Sequence, residues 1–250
     1  MTDGRAYAVR FLGIGGPGAA LGPVAVVERD AEPFLMIDCP PGALDAYRRR
    51  YGADPDSVYL THTHLDHVGG MEELFHGTIA AIQAEPERRI RLFAAAAIVP
   101  SLQARLVCNR FVRAEGRVNF WDAFQLVPVS EGFWLDDCWF RIFESRHMEP
   151  AFCFGLQLAG AFVYTGDTRP IPEVLTTLAA DGETVFHDCG VEANPAHTGI
   201  DDLFREYDPA LRSRLVCYHY GSEADAAVLE KRGLTVARSD APVPVPTAAP

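Results

Sequence analysis

The chain has 250 residues, 48% of them hydrophobic and 22% charged, enough for one large core or two small ones. No apolar run approaches the ~20 residues that a membrane-crossing helix needs, and the opening MTDGRAYAVRF lacks the charged and apolar regions of a secretory signal. With 34 acidic against 22 basic residues, a formal net charge of −12, the composition excludes a non-specific nucleic-acid binder, whose affinity comes from Lys and Arg facing phosphates.

Strands are predicted at Tyr7 to Leu12, Val24 to Glu28 and Phe34 to Ile37, rich in Val, Phe and Ile and separated by Gly/Pro punctuation. Ala43 to Tyr51 reads as a helix ending at Gly52, with three arginines in its last turn to suit the helix dipole. A strand follows at Val58 to Thr61, and a helix starts near Asp66 and runs through Leu74 and Phe75. Ala94 to Phe111 is predicted helical, with Leu102, Leu106 and Val107 on one face. Strands return in FQLVPV, WFRIFES, FGLQL and AFVYT. After Thr165, helices at Pro170 to Ala180, Asp201 to Tyr207 and Glu223 to Arg232 alternate with strands at Thr184 to Phe186 and Arg214 to Tyr218. The pattern is two halves, each a run of strands followed by αβ units, with no linker between them. One domain over residues 1–240 is the expectation, followed by a disordered Pro/Ala-rich tail, APVPVPTAAP, over 241–250.

Six cysteines, at positions 39, 108, 138, 153, 189 and 217, include no CxxC pair, so neither a zinc ribbon nor a thioredoxin-type motif is present. A chain of this length does not need disulfides to hold its fold, so reduced thiols and a cytoplasmic protein are expected.

The chemistry concentrates in Thr61-His62-Thr63-His64-Leu65-Asp66-His67-Val68-Gly69-Gly70, directly after a predicted strand. Imidazole nitrogen and carboxylate oxygen suit zinc, and also manganese or iron. In an extended loop His62 and His64 point to the same side. Asp66 and His67, in the first turn of a helix, face a second position a few ångströms away. One segment can therefore feed two adjacent metals, the arrangement that clamps both the attacking and leaving oxygens of a hydrolysis.

HxHxDH after a strand resembles the defining motif of the metallo-β-lactamase-fold hydrolases. The resemblance implies an α/β fold, an αββα four-layer sandwich of two mixed sheets flanked by helices, and covers Phe11 to about Gly221. It also implies three further ligands. His147 in SRHMEPAFCFGL looks like the third histidine of the first site, Asp167 in FVYTGDT like the bridging aspartate, and His219 in LVCYHYG like the last histidine of the second. Asp38 in FLMIDCP matches a recurrent aspartate that accepts a hydrogen bond from a ligand imidazole and fixes its tautomer; a turn-forming aspartate is the alternative.

Three features narrow the substrate. The opening RFLGIGGPGAALGP is similar to that of the phosphodiesterase branch, which includes ribonuclease Z and small cyclic phosphodiesterases. Glycines there let the backbone lie close to a substrate or to the metal loop. Phe186-His187-Asp188-Cys189, then Pro195-Ala196-His197-Thr198-Gly199, is similar to the His-Glu-Ala-Thr loop and following histidine of ribonuclease Z, with Asp188 in place of the glutamate. His187 and His197 are thereby candidates to protonate a leaving oxygen or neutralise the phosphorane. The long basic arm that grips transfer RNA is missing: Cys108 to Arg117 offers only Arg110, Arg113 and Arg117. A small phosphodiester, such as a cyclic nucleotide, fits this acidic chain better than a large RNA.

The expected enzyme is a phosphodiesterase with two divalent ions, zinc or else manganese or iron, sharing a hydroxide. Asp66 would also orient that nucleophile, and His187, helped by His197, would assist the leaving alkoxide. A lactonase or thioesterase on the same metals is the first rival, with Tyr164, Tyr218 and Tyr220 as oxyanion candidates and Phe152, Phe154 and Trp134 leaving an apolar pocket open. A di-iron redox or sensor protein is the second; such relatives usually carry glutamate where this chain has His64, and no flavodoxin-like extension is seen. Dimerisation is common in the family, so a homodimer is open.

Overall fold

Residues 5–16, 19–85, 87–106, 118–179 and 182–246 are described by a computed structural model. The first half opens as an antiparallel meander of β1 (Tyr7–Gly13), β2 (Val24–Arg29) and β3 (Glu32–Ile37). Asp30 and Ala31, both at positive φ (55° and 67°), close the β2–β3 hairpin, the twist that a two-residue turn between strands requires. Helix α1 (Ala43–Tyr51) stops where Gly52, at φ 71°, returns its N–H to the Arg48 carbonyl. From there the connections cross over: β4 (Ser57–Leu60), α2 (Leu65–Val68), α3 (Met71–Ala84), β5 (Ile90–Ala95), a 3₁₀ turn at Ala96–Ile98, α4 (Val99–Leu106), α5 (Phe120–Ala123) and β6 (Phe124–Val129). Strands β3 to β6 pair in parallel.

The second half repeats the plan. β7 (Gly132–Leu135), β8 (Cys138–Glu144), β9 (Phe154–Leu158) and β10 (Phe162–Tyr164) are antiparallel. Then α6 (Pro172–Leu178), β11 (Thr184–Asp188), α7 (Ile200–Glu206), α8 (Pro209–Arg212), β12 (Leu215–Tyr218), α9 (Glu223–Lys231) and β13 (Thr235–Val236) add parallel strands, and β14 (Pro242–Val245) returns to the first sheet. Two seven-stranded mixed sheets result, ordered β14-β1-β2-β3-β4-β5-β6 and β13-β12-β11-β10-β9-β8-β7. With helices outside, this is the expected αββα sandwich.

Residue parity on the second sheet sets the layers. Phe162, Tyr164, Phe186, Val216 and Tyr218 face the first sheet, whereas Val163, Val185 and Cys217 face the helices and meet Leu175, Leu203 and Leu229. Parallel strands covered on both faces read as continuous apolar runs for this reason. Between the sheets, the Phe11 ring lies 5.2 Å from Tyr218 and 5.6 Å from Phe186, and Phe133 stacks on Phe93 at 4.0 Å.

Three expectations change. The helix predicted from Asp66 through Phe75 is two helices, because the Gly70 N–H goes to the Cys39 carbonyl (2.8 Å) and a Cβ on Gly70 would collide with the Pro40 carbonyl oxygen. The helix predicted from Ala94 begins later, since Ala94 and Ala95 pair with Pro128 and Val129 as strand; Val107 to Phe111 lie outside the described residues. The tail expected to be disordered is ordered in part: Pro242–Val245 pair antiparallel with β1, where alternate prolines are tolerated because β14 is an edge strand. Arg10 anchors this return by donating to the Asp240 carbonyl, and the Asp240 N–H donates to the Phe11 carbonyl (2.7 Å). Among the described residues no helix is long and apolar enough to cross a membrane.

Candidate metal centre at the carboxyl ends of the strands

The ends of β3, β4, β8, β10, β11 and β12 deliver one group of side chains to a common point. Beyond β4 the backbone stays extended to His64 (φ −65°, ψ 150°) and then enters α2. His62, His64 and His147 close a triangle with ring centroids 4.7, 4.8 and 4.9 Å apart, and His64 Nδ1 lies 3.0 Å from His147 Nε2. Asp66, His67 and His219 form a second group whose donor atoms lie within 4.8 Å of one another. Asp167 sits between the two. Its Oδ2 is 3.2 Å from His67 Nε2, 3.5 Å from His219 Nε2, 3.7 Å from His147 Nε2 and 3.9 Å from His62 Nε2.

The hydrogen bonds behind these side chains decide which nitrogens face inward. Asp38, held at φ 62°, accepts from the Thr61 N–H (2.8 Å), the Thr61 hydroxyl (2.8 Å) and His67 Nδ1 (2.7 Å). Having given its proton to Asp38, the Thr61 hydroxyl accepts from His62 Nδ1 at 3.0 Å. His147 Nδ1 donates to the Ala196 carbonyl at 3.1 Å. Each of these rings therefore presents Nε2, and its lone pair, to the centre. Among the described residues, His62 Nε2, His219 Nε2 and Asp167 Oδ1 are buried there with no hydrogen-bond partner. Buried polar atoms left this way are costly, and a divalent cation with nitrogen and oxygen ligands satisfies all of them. The donor set fits two such ions sharing Asp167.

Burial lowers His62 well below the ordinary imidazole range, and burial with His147 lowers His64, so both are neutral and ready to ligate. Burial alone would raise Asp167, but His67, His219 and His62 hold it well below the carboxylate range. Asp38 goes the other way: burial pushes it up against the opposing pull of His67 and Thr61.

His219 adopts φ 69°, and its N–H donates to the Ile14 carbonyl at 2.8 Å. A Cβ on Gly16 would lie 2.5 Å from the His219 carbonyl oxygen, so the glycine-rich opening does press against the metal loop.

His197 reaches the centre and His187 does not. The His197 ring stacks on His219 at 4.7 Å and 11°, lies 4.7 Å from His147, and bonds Asp188 Oδ2 through Nδ1 at 2.8 Å. His187 has the opposite parity on β11. Its Nδ1 donates to the Asp188 carbonyl (2.7 Å) and its Nε2 accepts from the Tyr207 hydroxyl (2.7 Å), in the layer beneath the helices. Both ring nitrogens are engaged, so the catalytic role expected of His187 is withdrawn. Asp188 takes the inward place: wholly buried, it accepts from His197 and from the Thr168 N–H at 2.9 Å, with Oδ1 3.6 Å from His219 Nδ1. Its signal in the sequence was the acidic residue beside His187.

The tyrosines considered for an oxyanion are structural. Tyr164 and Tyr218 stack at 4.9 Å between the sheets, and Tyr220 donates to the Ala237 carbonyl at 2.5 Å. Trp134 is exposed on the edge strand β7. Arg110, Arg113, Arg117 and Cys108 lie outside the described residues.

The family described as Anti-Pycsar protein Apyc1 matches residues 24–240. A Paenibacillus harenae protein of that name is 25% identical over 209 residues, 80% of this chain and 83% of the relative. Another, from Saccharibacillus brassicae, is 28% identical over 212 residues, 82% and 85% respectively. Among solved structures, the metallo-β-lactamase-fold protein YhfI from Bacillus subtilis superposes with a TM-score of 0.74 at 15% identity, covering 96% of this chain and 99% of that one.

Proposed function

The chain belongs to the Anti-Pycsar protein Apyc1 family and has the metallo-β-lactamase fold; from that premise we propose that it is a metal-dependent hydrolase, a dinuclear phosphodiesterase acting on a small, cyclic-nucleotide-like diester. The observation that carries the proposal is one carboxylate oxygen, Asp167 Oδ2, set among four imidazole nitrogens, with the Asp188–His197 pair alongside.

His62, His64 and His147 would hold one ion, Asp66, His67 and His219 the other, with Asp167 shared. Zinc is the expected metal, with manganese or iron as alternatives on the same donors. Two bound ions would supply Lewis acidity toward the phosphate and draw the pKa of an attacking water toward neutrality.

The remaining roles fall to the chain itself. Asp66, the most exposed of the acidic donors, is placed to orient the attacking water and accept its proton. His197 donates a proton to the leaving oxygen. Burial alone would lower His197, but the Asp188 hydrogen bond and charge raise it, which favours the protonated form an acid catalyst needs. Asp188 positions the ring by fixing Nδ1, so that Nε2 is the atom left to deliver the proton.

Turnover of bis(p-nitrophenyl) phosphate and of cyclic nucleotides by the metal-loaded protein tests this, with His64→Ala as control. Loss of activity in the control places phosphodiester chemistry at these metals. His197→Ala should cost about a hundredfold on a sugar alkoxide leaving group and only a few-fold on nitrophenolate, which departs without a proton. No turnover with zinc, manganese or iron, despite two bound metals, rejects the proposal and brings lactones and thioesters forward.

A further inference from the structure

A cavity of about 230 Å³ opens beside the donor cluster, between loop 190–199 and the first turn of α9. His197, His219 and Asp188 are the wall it shares with the centre, Glu192, Asn194 and Asp225 add polar side chains, and Val191 and two glycines supply the rest. The loop is closed on itself. The Gly190 N–H meets the Thr198 carbonyl at 2.9 Å, and Asn194 Oδ1 accepts from the N–H groups of Ala196 (2.8 Å) and His197 (3.0 Å). With its oxygen so used, Asn194 offers only its NH₂ donors to the cavity. Asp188, wholly buried, borders this space, and its Oδ1 has no hydrogen-bond partner among the described residues.

Carboxylates in these positions repel phosphate, so the phosphate stays with the metals and the cavity suits a neutral group rich in donors. Its volume is below the ~300 Å³ typical of drug-sized ligand pockets, room for one nucleoside portion and not for a second nucleotide. The location follows from the acid. The oxygen that His197 protonates belongs to the substrate's sugar, so the sugar lies beside His197, which lines this cavity.

We propose that the cavity is the nucleoside subsite: Glu192 and Asp225 accept hydrogen bonds from sugar hydroxyls or base N–H groups, and the Asn194 amide donates to an acceptor beside them. This rests on the phosphodiester reading above and adds the residues that would select its substrate.

The test is steady-state kinetics of the metal-loaded full chain and its Glu192→Gln, Asp225→Asn and double variants. Each is assayed on a panel of 3′,5′-cyclic nucleotides and on bis(p-nitrophenyl) phosphate, which has neither hydroxyl nor N–H to offer. For each single variant KM on cyclic nucleotides should rise about five- to tenfold, as a charged acceptor becomes a neutral amide, and further in the double variant, while both constants on the nitrophenyl diester stay within about twofold. Unchanged KM on cyclic nucleotides, or an equal change on both substrates, overturns the subsite. So does a rise in KM from Phe152→Ala instead, which would move the nucleoside to the cavity beside Thr63 and Met148 on the opposite flank. Absence of diester turnover in the unaltered enzyme rejects the phosphodiester reading itself, and the subsite with it.

Discussion

The two halves of the molecule share one plan, an antiparallel meander leading into parallel αβ units, yet they supply the candidate metal centre in different ways. The first sends His62, His64, Asp66 and His67 from one short stretch, the extended segment after β4 and the helix α2 that follows it. The second sends His147, Asp167 and His219 one at a time, from beyond β8, β10 and β12. A contiguous donor set is specified by local conformation, because an extended stretch followed by a helical turn fixes where each side chain points. A dispersed set exists only when the sheet register is right. Each half also carries a buried carboxylate bonded to an imidazole Nδ1, Asp38–His67 in the first and Asp188–His197 in the second.

The largest effect should come from the group both sites share. Asp167→Ala is expected to lower bound metal from two ions per chain to at most one and to cut diester hydrolysis on the order of 10³-fold or more. Elemental analysis alongside kinetics checks it. His64→Ala and His147→Ala, one from each half, should lose the same single ion; different metal contents would break the pairing drawn between the halves.

Next comes Asp38, which supports the first half from behind. Asp38→Asn keeps the shape but alters the partner of His67 Nδ1 and of Thr61, and should weaken metal affinity about 10- to 100-fold in a chelator competition. Unchanged affinity would reduce Asp38 to a turn residue.

His187→Gln separates stability from chemistry in the second half. Breaking the buried bond to Tyr207 should cost about 1–3 kcal/mol in denaturant unfolding. The kcat/KM of the folded enzyme should stay within about threefold, since losses of ~10²-fold and more belong to groups that themselves transfer the proton. A hundredfold loss at full metal content would return His187 to the site.

The smallest effect concerns the end of the loop that carries His197. Asp202 accepts from the Gly199 N–H at 3.2 Å at the start of α7 and pairs with Arg205. Burial would raise this carboxyl, but Arg205 and the Gly199 amide hold it below the usual range. A depressed folded-state pKa stabilises the fold above the unfolded value near ~4, and that stability is lost as pH falls through the lower folded value. Asp202→Asn should therefore cost about 1 kcal/mol at neutral pH, with the gap closing progressively below about pH 4 in unfolding titrations.

Much of the fold was legible. Helix α1 has the predicted ends, Ala43 and Tyr51, because its apolar face, terminal arginines and closing glycine agree. β6 and β9 also lie where FQLVPV and FGLQL predict them. β5 and β7 were not seen. β5 is a short parallel strand that leads without a break into a 3₁₀ turn, and β7 is a four-residue edge strand; both owe their state to the strands they pair with in the assembled sheets. β14 lies in the stretch expected to be disordered for its Pro/Ala-rich composition with nothing to bury, and the edge position beside β1 that accommodates its prolines is visible only in the assembled sheet.

His187 and Asp188 show where sequence reading stops. They are neighbours, both of a type suited to proton transfer, and the pleat sends them to opposite faces. By itself the sequence determined a six-residue donor motif on a strand-to-helix turn, within a strand pattern rich enough for two sheets, and it is this motif that carries the resemblance to the metallo-β-lactamase-fold hydrolases. Tertiary structure decided which side chains join that motif in one cluster, which nitrogens of its histidines face inward, and what borders the cluster. Those outcomes depend on strand register and on partners far away in the chain, such as Asp167 against His67, and no local stretch of sequence encodes a register that both sheets must settle together.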